Sequence, residues 1–248
     1  MGYTKIDLNV GFNLLGQQFV KVGNDAAFDL QEIITSVNMA GFDTESVTPQ
    51  TTIQIWTPSG YVSYDWFSPE NLITWDGYGY ENLSEKWVWL DDDFGDFVAA
   101  QNVTVPASEG FWINTTAQSS MYFVGQVYTP TEETVPIATG FNLVSNPFPV
   151  KWNIQDFTST DMAGFDTESV TPQTTIIIWT PSGYVSYDYF SPENLIEWDG
   201  YGYDDLAGKW VWLDDDFGDF VAAENVEIPV GEGFWINTVK STSMKFTR

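Results

Sequence analysis

The chain of 248 residues contains no cysteine and no histidine. Without cysteine there is no disulfide framework, no thiol nucleophile and no thiolate metal site. Without histidine the usual zinc sites and every His-based catalytic triad are lost as well. Basic residues are scarce: 8 Lys and Arg face 35 Asp and Glu, for a net charge of −27. Such a surface repels phosphate backbones, which excludes nucleic acid as a partner and disfavours anionic membranes. Long apolar runs are missing too, so a membrane span is not expected. The opening MGYTKIDLNVGFN lacks a signal-peptide hydrophobic region. The composition of the rest is read as that of a mature or excised extracellular or cell-surface chain.

Hydrophobic residues make up 43% of the chain, which is incompatible with a disordered acidic tail and sufficient for two cores. The dominant feature is a repeat. Residues 39–115 run from MAGFDTESVTPQTTI to EGFWINT, and residues 162–238 begin and end with the same words, displaced by 162 − 39 = 123 positions. About five in six positions are identical, so the duplication is recent. Each copy opens on a related phrase, GFNLLGQQF at 11–19 and GFNLVSNPF at 140–148. That displacement is 140 − 11 = 129, so the second copy has lost six residues before Met162. The domains expected from this run 1–127 and 128–248.

Within a copy, GNDAAFDLQEIITSV is predicted to hold a short helix. Asp29 and Glu32, like Asn153 and Asp156, are spaced as an N-cap and its reciprocal partner. TTIQIWTPSGYVSYDWF reads as a β-hairpin around Pro58-Ser59-Gly60, and its copy turns at Pro181-Ser182-Gly183. KWVWL, NVTVP, EGFWINT and SSMYFVGQV read as further strands, with GYTKIDLNVG and the linker VYTPTEETVPIATG each supplying a first strand. Short strands with frequent turn signals predict a mainly β protein: two tandem, near-identical β-sandwich or small β-barrel domains, each with one short helix.

Two local patterns carry chemistry. DDDFGD places Asp91, Asp92, Asp93 and Asp96 close together, and Asp214, Asp215, Asp216 and Asp219 repeat them. Clustered carboxylates are oxygen donors for Ca²⁺, although the spacing is not that of a helix–loop–helix calcium loop, and a solvated acidic turn is the plainer reading. The second pattern is aromatic. WDGYGY interrupts the core-like alternation and offers Trp75, Tyr78 and Tyr80, with Trp198, Tyr201 and Tyr203, as a platform for sugar rings. Elsewhere the aromatics suit cross-strand pairs and a core. Carboxylates of the kind that run glycoside hydrolysis are present, namely Asp65, Glu70 and Asp76 with Asp188, Glu193 and Asp199. Among 35 acidic residues such pairs carry no information, and the chain is not expected to be an enzyme.

The phrases GFNLLGQQF and GFNLVSNPFP, with the closing NVEIPVGEGFWINT, resemble the repeat modules of secreted bacterial surface proteins. Copy one departs from the pattern at Gln17-Gln18 and at Ala107-Ser108. The resemblance implies an all-β, extracellular, non-catalytic role and transfers no functional residues. The expected function is therefore structural or adhesive: self-assembly head to tail into a filament or surface layer, joined through the terminal strands around Tyr3 to Val10 and Ser243 to Arg248. The alternative is a bivalent carbohydrate-binding module, in which duplication supplies avidity toward a polysaccharide.

Overall fold

Alternation of buried and exposed residues governs both halves of the chain. In the computed structural model, residues 2–21, 27–35, 38–57, 59–74, 80–91, 96–157, 159, 161–180, 182–197, 203, 205–214 and 219–248 are described. The chain divides into two compact units, Met1–Tyr128 and Thr129–Arg248, and both are mainly β.

The main strands of unit 1 are β1 (Gly2–Leu8), β2 (Gly11–Gly16), β3 (Thr51–Thr57), β4 (Gly60–Phe67), β5 (Lys86–Asp91), β6 (Asp96–Ala99), β7 (Gly110–Thr115) and β8 (Ser119–Val127), with a helix α1 (Pro69–Thr74) after β4. Those of unit 2 are β9 (Glu132–Ile137), β10 (Gly140–Ser145), β11 (Thr174–Thr180), β12 (Gly183–Phe190), β13 (Lys209–Asp214), β14 (Asp219–Ala222), β15 (Gly233–Thr238) and β16 (Thr242–Thr247), with α2 (Pro192–Glu197) after β12. Unit 1 has a six-stranded antiparallel sheet in the order β6-β5-β4-β3-β7-β2, and unit 2 repeats it as β14-β13-β12-β11-β15-β10. A second sheet pairs β1 with β8 in unit 1 and β9 with β16 in unit 2.

The core lies between the two sheets. Ile53, Ile55, Phe111 and Ile113 come from the large sheet, and Leu8, Met121 and Phe123 from the small one. A satellite core on the far face of the large sheet joins Phe42, Phe67, Leu83 and Val88, repeated by Phe165, Phe190, Leu206 and Val211. One side chain ties its outer loop down. Asn71 is buried, with its Oδ1 accepting from Phe42 N at 2.9 Å and Ser68 N at 3.1 Å, and its Nδ2 donating to Phe42 O at 2.9 Å.

The hairpin turn falls where the sequence places it, with Gly60 and Gly183 at φ of +113° and +115°. The expected short helix is present with its cap, but only as one turn. Residues Leu30–Glu32 make a single 3₁₀ turn, and Ile34–Thr35 is already a strand on β8. The capping pair is present, since Asp29 accepts from Gln31 N and Glu32 closes back on Asp29 N. The cap starts a helix that tertiary contacts then end: Gln31 Nε2 donates to Trp87 O, and Leu30 and Ile33 are sunk in the core. Five of the six residues missing from the second copy fall between Phe19 and Phe28, since Phe28 and Asp29 correspond to Trp152 and Asn153 at a displacement of 124, and the sixth falls between Glu32 and Met39. The true helix follows Ser68-Pro69-Glu70, a start signal with Pro at its first position.

One difference between the copies tests itself. Glu85 has φ of +56°, a left-handed conformation that costs an L-residue about 1 kcal/mol, whereas unit 2 has Gly208 there at φ of +74°. Glu85→Gly is expected to stabilise unit 1 by about 1 kcal/mol in urea titration, with no change in slope.

Candidate functional site

In each copy the large sheet comes apart at the same register. Strands β4 and β5 pair from Phe67↔Lys86 through Trp66↔Trp87 to Asp65↔Val88, and pairing then stops. In unit 2 the last pair is Asp188↔Val211. Beyond it β12 continues against β11 to Gly183, and β13 continues against β14 to the pair Asp214↔Asp219. The sheet thus forks, and a two-stranded arm leaves it.

Alternation along KWVWL decides what the arm exposes. Trp87 and Val88 are fully buried, one in the main core and one in the satellite core. The next pair of residues repeats both directions beyond the edge of the cores. Trp89 and Leu90 are therefore 42% and 48% exposed, with Val98 at 39% across from Trp89. Trp212, Leu213 and Val221 repeat this at 41%, 49% and 38%.

At the crotch of the fork sits a carboxylate. Asp188 Oδ1 accepts from Thr175 Oγ1 at 2.7 Å, and Asp65 from Thr52 at 2.6 Å. Burial pushes both carboxyls above the usual aspartate range, and the threonine bond pulls the other way. In unit 2 the opening is a cleft of about 530 Å³, lined by Ser186, Tyr187 and Asp188 on one strand, Trp212 and Leu213 on the other, and Glu224 at its side. A wider basin of about 1160 Å³ in the same unit mixes Asp161 and Glu193 with Lys240 and Lys245. Asp156 and Asp166 line it too, so carboxylates outnumber lysines there, and Lys245 already pairs with Glu132 at 2.6 Å.

The residues singled out in the sequence are placed differently. Trp75, Tyr78, Trp198 and Tyr201 lie outside the described residues. Tyr80 turns inward onto Phe67 and Phe97, with its hydroxyl 3.3 Å from Asp96, and Tyr203 does the same against Phe190, Phe220 and Asp219. Their rings are thus part of the satellite core. Of the acidic cluster, Asp92, Asp93, Asp215 and Asp216 are outside the described residues. Asp91 and Asp96 end the two strands of the arm opposite each other, as do Asp214 and Asp219. Among the described residues no group of three or more acidic side chains is arranged to hold a metal ion. Glu70 and Glu193 are exposed at the start of α1 and α2, and Asp76 and Asp199 are outside the described residues. The terminal strands are already paired: β1 with β8, and β16 with β9.

Comparison with known proteins finds no matching family model, no matching curated protein and no matching solved structure.

The carboxyls also set a pH dependence. Burial raises Asp65, Glu109, Asp188 and Glu232, so the folded chain takes up their protons before the unfolded chain does. Stability then rises as pH falls from above their folded pKa toward the ordinary carboxylate value, and gains nothing further below it. Asp43 and Asp166 are lowered by bonds from the Ser46 and Ser169 backbone, and the stability they give is lost as pH falls through their depressed values. The melting temperature is therefore expected to rise from pH 7 to about pH 5 and to fall below about pH 3. Asp65→Asn with Asp188→Asn should remove part of the rise.

Proposed function

We propose that the protein is a non-catalytic structural or adhesive protein of the cell exterior that self-associates head to tail through its duplicated arms. The observation that carries this reading is the arm itself. Each copy holds Trp, Leu and Val side chains out of both cores at the same three positions, on a two-stranded extension of the sheet. Exposed apolar residues grouped on a projecting hairpin are the ordinary mark of a contact surface. Presenting that surface twice lets one kind of contact propagate from chain to chain. The terminal strands support the reading less well than the sequence suggested. The outer strand of unit 2, β9, carries Pro136 and the Glu132–Lys245 ion pair, devices that discourage strand addition at an edge.

Calcium belongs to the proposal. The run DDDFGD and its copy concentrate carboxylates, which are oxygen donors for a cation that offsets their mutual repulsion. Negative-stain electron microscopy of the full chain, with and without millimolar calcium, tests both parts. Ordered fibres are expected, with calcium raising the melting temperature and chelator reversing the rise. Isolated single-chain particles in both conditions would overturn assembly, and an unchanged melting curve would remove calcium.

A second reading, a bivalent carbohydrate-binding module, draws on the cleft in the fork, which Tyr187, Asp188 and Trp212 line.

A further inference from the structure

We propose that the outer edge of β1 pairs with the β1 edge of a second copy of this chain, in a two-fold antiparallel contact centred on Ile6. The contact is separate from the arms and does not rest on them.

β1 ends the small sheet of unit 1. β8 carries β1 along one edge and the short strands Phe19–Val20 and Ile34–Thr35 along the other. Beyond β1 no further strand is paired among the described residues. An edge strand turns every second N–H and C=O outward, and these groups accept another strand unless something prevents it.

The two copies differ in what prevents it. Their registers on β8 and β16 make Asp7 the counterpart of Pro136, and Tyr3 and Thr4 the counterparts of Glu132 and Glu133. Proline has no N–H to give and is tolerated in a sheet where its nitrogen faces away from the neighbouring strand. The outer edge of β9 is thus broken at Pro136 and carries two carboxylates. β1 has neither guard. The charges that it does carry, on Lys5 and Asp7, are of opposite sign.

Pleat and charge together select one register. Tyr3, Lys5 and Asp7 are exposed on the outer face, while Thr4 and Ile6 are half-buried and Leu8 is buried on the other. A match that keeps these faces together pairs odd positions with odd. Centring on Lys5 or on Asp7 sets like charges directly opposite each other, which opposes pairing. Centring on Ile6 sets each Lys5 opposite the second copy's Asp7, Thr4 opposite Leu8, and Ile6 opposite Ile6. Lys5 and Asp7 already form an ion pair within the strand, so the two strands close a square of four alternating charges. Exposed ion pairs are weak singly and count for more in a network. Ile6 packs on the margin of the main core, and meeting its copy across the two-fold axis extends that margin. This self-complementarity is why the partner is a second copy and not an unrelated strand. The net charge of −27 drives copies apart, and salt at about 0.15 M screens that repulsion beyond about 8 Å.

The test is sedimentation velocity of the full chain at about 0.15 M salt. The parent carries Leu90→Ser and Leu213→Ser, so that the arms do not contribute. A two-chain species that grows with concentration is expected. Lys5→Asp turns both attractive pairs repulsive and should weaken the association about tenfold or more. Adding Asp7→Lys to it exchanges the two charges, keeps them complementary and should restore the two-chain species. Asp7→Pro, which copies the residue that unit 2 has at this position, should leave single chains, with circular dichroism showing that the variant is folded. Single chains in the parent at every concentration would overturn the proposal. So would a two-chain species that persists in Lys5→Asp and Asp7→Pro alike, or one that the charge exchange fails to restore. Growth beyond two chains in the wild type reads the arms separately, so either contact can fail without the other.

Discussion

Asn194→Ala is expected to cost unit 2 about 3–5 kcal/mol. The side chain is 1% exposed and works as a clamp. Its Oδ1 accepts from Phe165 N at 2.8 Å and from Ser191 N at 3.1 Å, while its Nδ2 donates to Phe165 O at 2.8 Å. Truncation strands three buried backbone groups, each costing about 1–3 kcal/mol when left without a partner, with sums that fall short of additive. Gly164→Ala should be comparably severe for a steric reason. A Cβ there would meet Asn194 Oδ1 directly and lie 2.5 Å from Ser191 Oγ. Asn71→Ala and Gly41→Ala should do the same to unit 1. Urea titration followed by circular dichroism is the measurement. Each variant should split the transition into an early step for the damaged unit and a later one for the intact unit. A single transition shifted by under 1 kcal/mol would show that the clamp is dispensable.

The second large effect lies inside KWVWL. Trp210→Ala is expected to cost about 3–5 kcal/mol, because the ring is fully buried and its removal leaves a large cavity. Trp212→Ala, two positions on, should cost under about 1 kcal/mol, since that ring is on the arm with 41% of its surface in solvent. Conservative replacement separates the copies further. Trp210 Nε1 donates to Phe157 O at 3.0 Å, whereas Trp87 Nε1 is buried with no hydrogen-bond partner among the described residues. Both Phe variants leave a void, but Trp210→Phe also strands a buried carbonyl, while Trp87→Phe removes an orphaned donor and should cost less by about 1 kcal/mol or more. If the two Phe variants melt alike, this account of the Trp87 environment is wrong.

The all-β class and the hairpin at 51–67 were legible because Ser59-Gly60 is a turn signal whatever surrounds it, and because Ile53 and Ile55 alternate with polar residues onto one face. The start of the turn at Asp29 was legible because the Asp29–Glu32 capping pair is local chemistry, whereas its length was decided by Gln31 reaching Trp87, 56 residues away. Tyr80 was read as a ring platform because glycines break the alternation beside it; its burial depends on Phe42 and Phe97, which only the folded chain brings together. The fork was the hardest part to read. KWVWL has apolar residues on both faces, so some of them must lie outside a core. Where β5 leaves β4 is fixed by pairing across the segment 68–85, and no residue in KWVWL announces it. The carboxylates at the crotch were visible only as two among 35 acidic residues.

The central claim is that the duplicated arms are contact surfaces between chains. Multi-angle light scattering of the full chain over a wide concentration range tests it most directly, with Leu90→Ser and Leu213→Ser as the paired variant. The account predicts that mass grows past two chains with concentration for the wild type and stays at one or two chains for the variant. A mass of one or two chains for the wild type at every concentration, in calcium and in chelator, would contradict it.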